Sequence, residues 1–372
     1  MVIPKLKKSH GRVDSAMVLI VILLILSGLL VLFSATYYTA QYRGDPLSDV
    51  KKQLTGVALG AVAMFVTARI HYSFWKKTWV VITALLSSMV LLVLVVIPGV
   101  GVFLNGSRRW LNIAGMSFQP SEWAKFAVVL YMATILSNRG ELVMNLVRGI
   151  GLILMIPGIF FLLILEQPNL STAGSIIIVS VLMILLAGAR WRHMALLGAG
   201  GLAVGAFYAW SEPYRRDRLL SFRDPFSKMS DEGYQLSQSL IAFGSGGLFG
   251  MGLGRGRQKY AYLPYPESDF IFAIVGEDFG LLGCLTVILM FATFMFIGMR
   301  IAVRCRDKFG CLLGAGITCS ISVQAFLNMG VVVGILPTTG LPLPFFSAGG
   351  TSVLIAMAMV GILLNISREN EK

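Results

Sequence analysis

The chain has 372 residues, 56% of them hydrophobic and only 13% charged, with a mean hydropathy of +0.78 and a formal net charge of +13. That balance excludes a soluble globule with a polar skin and describes a polytopic membrane protein. The basic excess calls for an anionic partner at a membrane surface, and no nucleic-acid partner is expected.

A bilayer core of roughly 30 Å needs about 20 apolar residues per helix. The sequence predicts about ten such stretches, near residues 15 to 37, 53 to 70, 79 to 97, 121 to 137, 146 to 166, 171 to 189, 194 to 210, 279 to 301, 311 to 335 and 348 to 366. The expected fold is therefore an all-α membrane protein forming one integral domain over 1–372, with a large extracytoplasmic loop region at 211–278 between the seventh and eighth helices. The first stretch follows a basic N-terminus but lacks a small-residue cleavage site, so it reads as a retained signal-anchor.

Lys and Arg concentrate in loops that stay in the cytoplasm. With segments 1–14 and 367–372 both inside, about 17 basic residues fall in short cytoplasmic segments, against about five (Arg43, Lys51, Lys52, Arg108, Arg109) in short outside loops. The chain is thus expected in the cytoplasmic (inner) membrane with both termini cytoplasmic. The long outside loop carries its own basic excess, which suits an anionic ligand there. Cys284, Cys305, Cys311 and Cys319 fall in helices or the cytoplasmic loop, so no disulfide framework is expected. His10, His71 and His193 are all expected on the cytoplasmic side, which leaves carboxylates as the candidate bases at the outer face.

Three outer segments carry the chemistry. The first runs from Gly106-Ser107-Arg108-Arg109-Trp110 to Gln119-Pro120-Ser121-Glu122-Trp123-Ala124-Lys125. Pro120 suits a first helical position, and Glu122 and Lys125, three apart, can pair on one face. Lys125 sits about one turn into the membrane and needs a carboxylate or an anionic ligand. Arg108, Arg109 and Trp110 read equally as an interfacial anchor.

The second segment is the long loop, with Tyr214, Arg215, Arg216 and Arg218 followed by a glycine-dense run from Gly244 to Gly256. Clustered guanidinium forks suit phosphate. The glycines fit neither a dinucleotide fingerprint nor a P-loop, and read as tight turns and close packing. The third segment begins at Pro266-Glu267-Ser268-Asp269-Phe270, where an ionisable group at a membrane boundary is a functional candidate. The plain alternative makes Ser268 an N-cap and Asp269 a first-turn acid. Gly280 offers a break between a short outer helix and a separate span. Residues 337–350, with their repeated Pro and Gly, read as an irregular loop packed on protein or lining a cavity.

Six motifs taken together carry a resemblance: Gly-Ser-Arg-Arg-Trp from Gly106, Gln-Pro-Ser-Glu-x-x-Lys from Gln119, Pro-Tyr-Arg-Arg-x-Arg-Leu from Pro213, Gly-Tyr-Gln-x-x-Gln-Ser from Gly233, Ser-Asp-Phe-Ile-Phe-Ala from Ser268, and Gly-x-Pro-Leu-Pro-Phe-Phe-Ser from Gly340. Their order along nearly the whole chain resembles the SEDS family of shape, elongation, division and sporulation proteins, and more the division branch than the elongation branch. Asn169, Ser171 and Ala348 depart from the residues common in that family.

The resemblance implies a ten-helix peptidoglycan glycosyltransferase that polymerises lipid II at the outer face, partnered by a class B penicillin-binding protein and other division proteins. It places the essential acid on Asp269. The reaction needs a base for a sugar hydroxyl and cations for a pyrophosphate leaving group. Asp269, Glu122 and Lys125 are the expected catalytic set. Arg108, Arg109, Trp110, Gln119, Ser121, Tyr214, Arg215, Arg216, Arg218 and Ser347 are the expected substrate contacts, with Mg2+ or Mn2+ as candidate cations. A lipid II transporter and a noncatalytic division scaffold are the rival readings; a transporter needs ionisable groups near the midplane along a two-sided path.

Overall fold

A computed structural model describes residues 11–104, 107–113, 116–210, 222–227, 233–260, 262–338 and 340–370. Each of the ten expected apolar stretches coincides with a helix. These are α1 (Ser15–Tyr42), α2 (Ser48–Arg69), α3 (Thr78–Val96), α4 (Pro120–Asn138), α5 (Leu152–Leu165), α6 (Leu170–Leu186), α7 (Trp191–Trp210), α9 (Ile271–Arg304), α10 (Lys308–Val332) and α11 (Gly350–Asn370). Among the described residues six segments are long and apolar enough to cross a membrane: α1, α3, Leu146–Leu165 (which ends in α5), α9, α10 and α11. An additional helix, α8 (Tyr234–Gly246), lies inside the region expected to be loop.

Helix α1 begins where Asp14 accepts a hydrogen bond from Met17 N at 3.1 Å, satisfying one of the free donors of the first turn. The centre of the bundle is α10 and α11. Their most apolar stretches are 72% buried, against 33–44% in the other apolar spans, so these two helices face protein where the others face lipid. Small residues let α11 lie directly on α2. A Cβ at Gly56 would stand 2.6 Å from the Gly350 Cα, and one at Gly361 would stand 2.0 Å from Thr67 Oγ1. Thr67 also donates across this contact to the Ala358 carbonyl at 2.9 Å. Such close approach supplies packing where lipid tails give no hydrophobic drive.

The structure departs from an all-helical reading between α3 and α4. A three-stranded antiparallel sheet occupies this stretch: β1 (Gly101–Leu104), β2 (Ser107–Ile113) and β3 (Met116–Phe118). The expectation of loop here missed Asn105-Gly106, a pairing that favours tight hairpins. β3 runs through Gln119 straight into α4, so the sheet fixes where that helix starts.

The break at Gly280 is present: φ is +65° and ψ −160° inside α9, which divides a short helix from the long span. The polar backbone freed by the kink is taken up by the glycine-rich segment after α8. Met251 N donates to Glu277 O at 2.9 Å and Gly252 N to Asp278 O at 3.0 Å, while Leu281 N reaches Gly247 O at 2.9 Å. A Cβ at Gly250 would lie 2.2 Å from the Asp278 carbonyl oxygen. Only glycine allows this approach, so part of the run serves close packing, as expected.

Candidate functional site

Helix α4 opens with Pro120 at its first position, and Gln119 caps it from an extended conformation without a side-chain bond. One turn in, Lys125 Nζ lies 2.8 Å from Glu122 Oε1, with the two residues only 4% and 3% exposed. The pairing read from the three-residue spacing is therefore made, and at this depth it is needed. A buried charge without a partner is costly, and removing one member of such a pair costs about 3–5 kcal/mol. Ser352 Oγ donates to the other Glu122 oxygen at 3.3 Å, and Lys125 Nζ also donates to Gln324 Oε1. Beside Lys125, a cavity of about 10 Å³ is lined in part by Ser175, Ser180 and Ser320.

Gln324 leads toward the acidic loop. Its amide donates to Pro342 O at 2.8 Å. Four residues on, along the same face of α10, Asn328 donates to Leu341 O at 2.7 Å and to the backbone carbonyl of Asp269 at 2.6 Å. The pair on α4 is thereby joined to the Asp269 segment through two amides of one helix. Sequence reasoning missed Gln324 and Asn328; the available signal was two carboxamides inside an otherwise apolar span.

Asp269 is half-buried. It is not a first-turn acid, because α9 begins at Ile271, with Phe270 as a cap that makes no side-chain bond. The chain instead turns over residues 265–270, with Ser268 N on Tyr265 O at 3.0 Å. The Asp269 carbonyl is held by Asn328, and in the first turn of α9 Ala273 N bonds Phe270 O at 2.9 Å. The plain alternative, with Ser268 as N-cap and Asp269 as a first-turn acid, is thus not the arrangement found.

Arg109 comes from β2. Its Nε donates to Gln167 O at 3.1 Å and its Nη2 to Pro168 O, which ties the sheet to the turn between α5 and α6. A Cβ at Gly340 would stand 3.6 Å from Arg109 Nη1 and 3.8 Å from Asp269 Oδ2. A guanidinium and a carboxylate brought in from opposite halves of the chain therefore both lie within van der Waals reach of one glycine.

The remaining expected contacts divide. Arg108 stacks its guanidinium 5.7 Å from the Phe103 ring centre across the β1–β2 pair, and Trp110 pairs with Val102. Gln119 stays half-exposed at the entry to α4. Ser121 is buried, and its Oγ has no hydrogen-bond partner among the described residues. Ser347 is turned away from solvent, 3% exposed, with its Oγ accepting from Leu343 N at 2.8 Å. Its hydroxyl closes its own loop, because Leu341, Leu343, Phe345 and Phe346 bury that loop among the helices. Tyr214, Arg215, Arg216 and Arg218 lie outside the described residues. Of the departures noted above, Asn169 accepts from Thr172 N at 3.3 Å as the cap of α6, and Ala348 N donates to Glu267 O at 2.7 Å.

Among the described residues no three His, Cys, Asp or Glu side chains cluster to hold a metal. An all-protein metal cage does not fit this site. A hard divalent cation held by one carboxylate plus ligand phosphates is the arrangement that Asp269 would allow.

Residues 14–372 match the FtsW/RodA/SpoVE family of cell cycle proteins. The chain is 40% identical to stage V sporulation protein E of Bacillus subtilis, over 95% of this chain and 97% of that one. It is 38% identical to a probable peptidoglycan glycosyltransferase FtsW of Geobacter metallireducens, over 97% and 96% of the two chains. Its fold matches a chain solved in a study of how a peptidoglycan synthase complex coordinates polymerization and crosslinking, with a TM-score of 0.78, 24% identity, and 96% and 98% of the two chains covered. The rod shape determining protein RodA of Thermus thermophilus gives a TM-score of 0.69 at 24% identity, covering 97% and 98%. With nearly its full length matched at this identity, the chain is a member of the FtsW/RodA/SpoVE family of cell cycle proteins.

Proposed function

We propose that this protein is a peptidoglycan glycosyltransferase that polymerises lipid II, acting in cell division at the outer face of the cytoplasmic membrane. The observation that carries the reading is the convergence of Asp269 and Arg109 on Gly340. A carboxylate and a guanidinium one small residue apart supply a base and an anion binder for one bond exchange. Full-length relatives named as peptidoglycan glycosyltransferases support the same chemistry.

In this reading Asp269 accepts the proton of the acceptor's 4-hydroxyl as that oxygen attacks the donor's anomeric carbon. The new glycosidic bond forms with inversion while the bond to the pyrophosphate oxygen breaks, and the lipid pyrophosphate leaves with its electron pair. Arg109, with Arg108 and the Arg215, Arg216 and Arg218 cluster, neutralises the charge that grows on the leaving group. Mg2+ or Mn2+, when bound by Asp269 and the pyrophosphate, would add further neutralisation. Glu122 and Lys125, expected in the catalytic set, take a positioning part in this reading, which their burial supports: they pair with one another, and Lys125 bonds Gln324, which reaches the loop that carries Gly340.

The orientation rests on charge. Arg69, Arg300 and Arg368 lie at the end of the bundle that holds Asp14, where Arg300 pairs with Asp14 at 2.6 Å and Asp14 N donates to Ser367 at 3.1 Å. The positive-inside rule turns that end to the cytoplasm and the Asp269 end outward. A class B penicillin-binding protein is the proposed partner, since polymerised strands require crosslinking.

Purified protein supplied with labelled lipid II tests the proposal. Chain product is expected from the wild type and near-total loss from Asp269→Asn with the fold intact. Leaflet exchange without product would make the protein a transporter, and neither activity would make it a scaffold.

A further inference from the structure

At the end of the bundle opposite Asp269, beside the contact in which Asn365 of α11 donates to the Ala68 carbonyl of α2 at 3.0 Å, an open groove of about 570 Å³ runs along the two helices. Its wall is apolar, with Ala61, Met64, Phe65 and Leu364 and with Gly11 and Val13 of the segment before α1, and its basic groups are Arg69 and Arg368, each from the last turn of its helix. Phe65 is 61% exposed, beside the exposed Val62 and Val66, so this side of α2 faces lipid. Arg69 lies one turn further toward the helix end, its guanidinium 4.6 Å from the Phe65 ring centre.

Among the described residues neither Arg69 nor Arg368 forms an ion pair. The nearby acids are engaged elsewhere, Asp14 with Arg300 at 2.6 Å and Glu369 with His71 at 3.6 Å. Two guanidinium forks without acids, at the mouth of an apolar groove open to the bilayer, match a ligand with an anionic head and a hydrocarbon tail. Lys5, Lys7 and Lys8 of the chain's own N-terminal sequence repeat the sign of the two arginines and offer them no counter-charge.

We propose that this groove binds an anionic phospholipid, its phosphate between Arg69 and Arg368 and an acyl chain along Phe65, Met64 and Ala61. Basic pockets between helices at this depth suit such head groups. The inference rests on the chain spanning a bilayer and is independent of the reaction at Asp269, so the two readings can fail separately.

The test uses the full-length protein in detergent, with lipid retention read by native mass spectrometry during titration with phosphatidylglycerol or phosphatidylcholine. Wild type is expected to retain phosphatidylglycerol preferentially. Arg69→Gln and Arg368→Gln are each expected to weaken that retention about fivefold, the equivalent of roughly 1 kcal/mol for a basic side chain at an anionic surface. Ala61→Trp, which fills the apolar wall and keeps both arginines, is expected to abolish the preference, and it guards against misfolding of the charge variants. Arg139→Gln/Arg148→Gln, which removes basic charge elsewhere, should leave it unchanged. Equal loss in that control, no preference between the two lipids, or displacement of the lipid by millimolar inorganic phosphate would each overturn the proposal.

Discussion

Lys259 sets its ammonium 2.8 Å and 3.1 Å from the two carboxylate oxygens of Asp278, with both side chains almost fully buried. Ser34 of α1 accepts from the same ammonium at 2.8 Å and donates to the same carboxylate. The pair pins the segment after the glycine run to the kink of α9, two residues before Gly280. Next to it, Glu277 is wholly buried and accepts from Gln258 N at 3.0 Å. The short helix that follows Asp269 is therefore anchored at its far end by charge and at its near end by Asn328.

Breaking this pair from one side should be more damaging than removing it whole. Lys259→Met or Asp278→Leu alone leaves a buried charge unmatched, at a cost of about 3–5 kcal/mol. The double variant removes both charges, so its loss should fall well below the sum of the singles. Thermal unfolding in detergent measures all three. Additive losses would show that the two side chains contribute independently.

Asn328 should matter to turnover more than to binding. Its side chain holds the carbonyls of Asp269 and Leu341 together, so Asn328→Ala frees the loop that sets the position of the acid. Misplacement of a reacting group by about 1 Å can cost on the order of 100-fold in rate. We expect kcat for lipid II polymerisation to fall roughly 10- to 100-fold with KM little changed. A rise in KM with unchanged kcat would assign Asn328 to substrate binding.

The pH response of Glu267 has a defined sign. Burial pushes its carboxyl above the ordinary carboxylate range, opposed by its own backbone N–H, with Asp49 adding to the rise and Arg43 reducing it. A carboxyl that binds its proton more tightly when folded contributes stability below its unfolded pKa and loses it as pH rises through the folded value. Glu267→Gln mimics the protonated form and should melt above wild type at pH 7.5. The difference should close as the pH drops toward the ordinary glutamate value of 4.5. A constant difference across that range would remove Glu267 ionisation as the cause.

The helical spans were legible because roughly 30 Å of hydrocarbon forces long apolar runs whatever their packing. The Glu122–Lys125 bridge and the Gly280 break were legible for a similar reason, being consequences of local spacing and of one residue type. The position of Asp269 was not. Its departure from helix depends on Asn328, 59 residues away, taking its carbonyl, and local capping rules cannot contain that bond. The internal bond of Ser347 was hidden for the same reason, since its hydroxyl accepts from Leu343 N inside a buried loop. Arg109 was identified as a candidate, but the sheet that aims it at Gly340 was not, although Asn105-Gly106 marked the hairpin.

Gly340 offers the sharpest separation of site from scaffold. A Cβ there would meet Arg109 Nη1 at 3.6 Å and Asp269 Oδ2 at 3.8 Å, both ordinary van der Waals distances, so Gly340→Ala should fold and keep measurable activity. A larger side chain must extend beyond that Cβ, against the carboxylate and the guanidinium where the reacting groups are proposed to meet. Gly340→Leu should therefore retain the wild-type melting temperature within a few degrees and lose polymerase activity by at least about 100-fold, because a misplaced or excluded substrate forfeits the advantage of proximity. Chain product from labelled lipid II and a thermal melt on the same preparation decide the matter. If Gly340→Leu stays folded and polymerises at the wild-type rate, the space between Asp269 and Arg109 is not where the sugar bond forms.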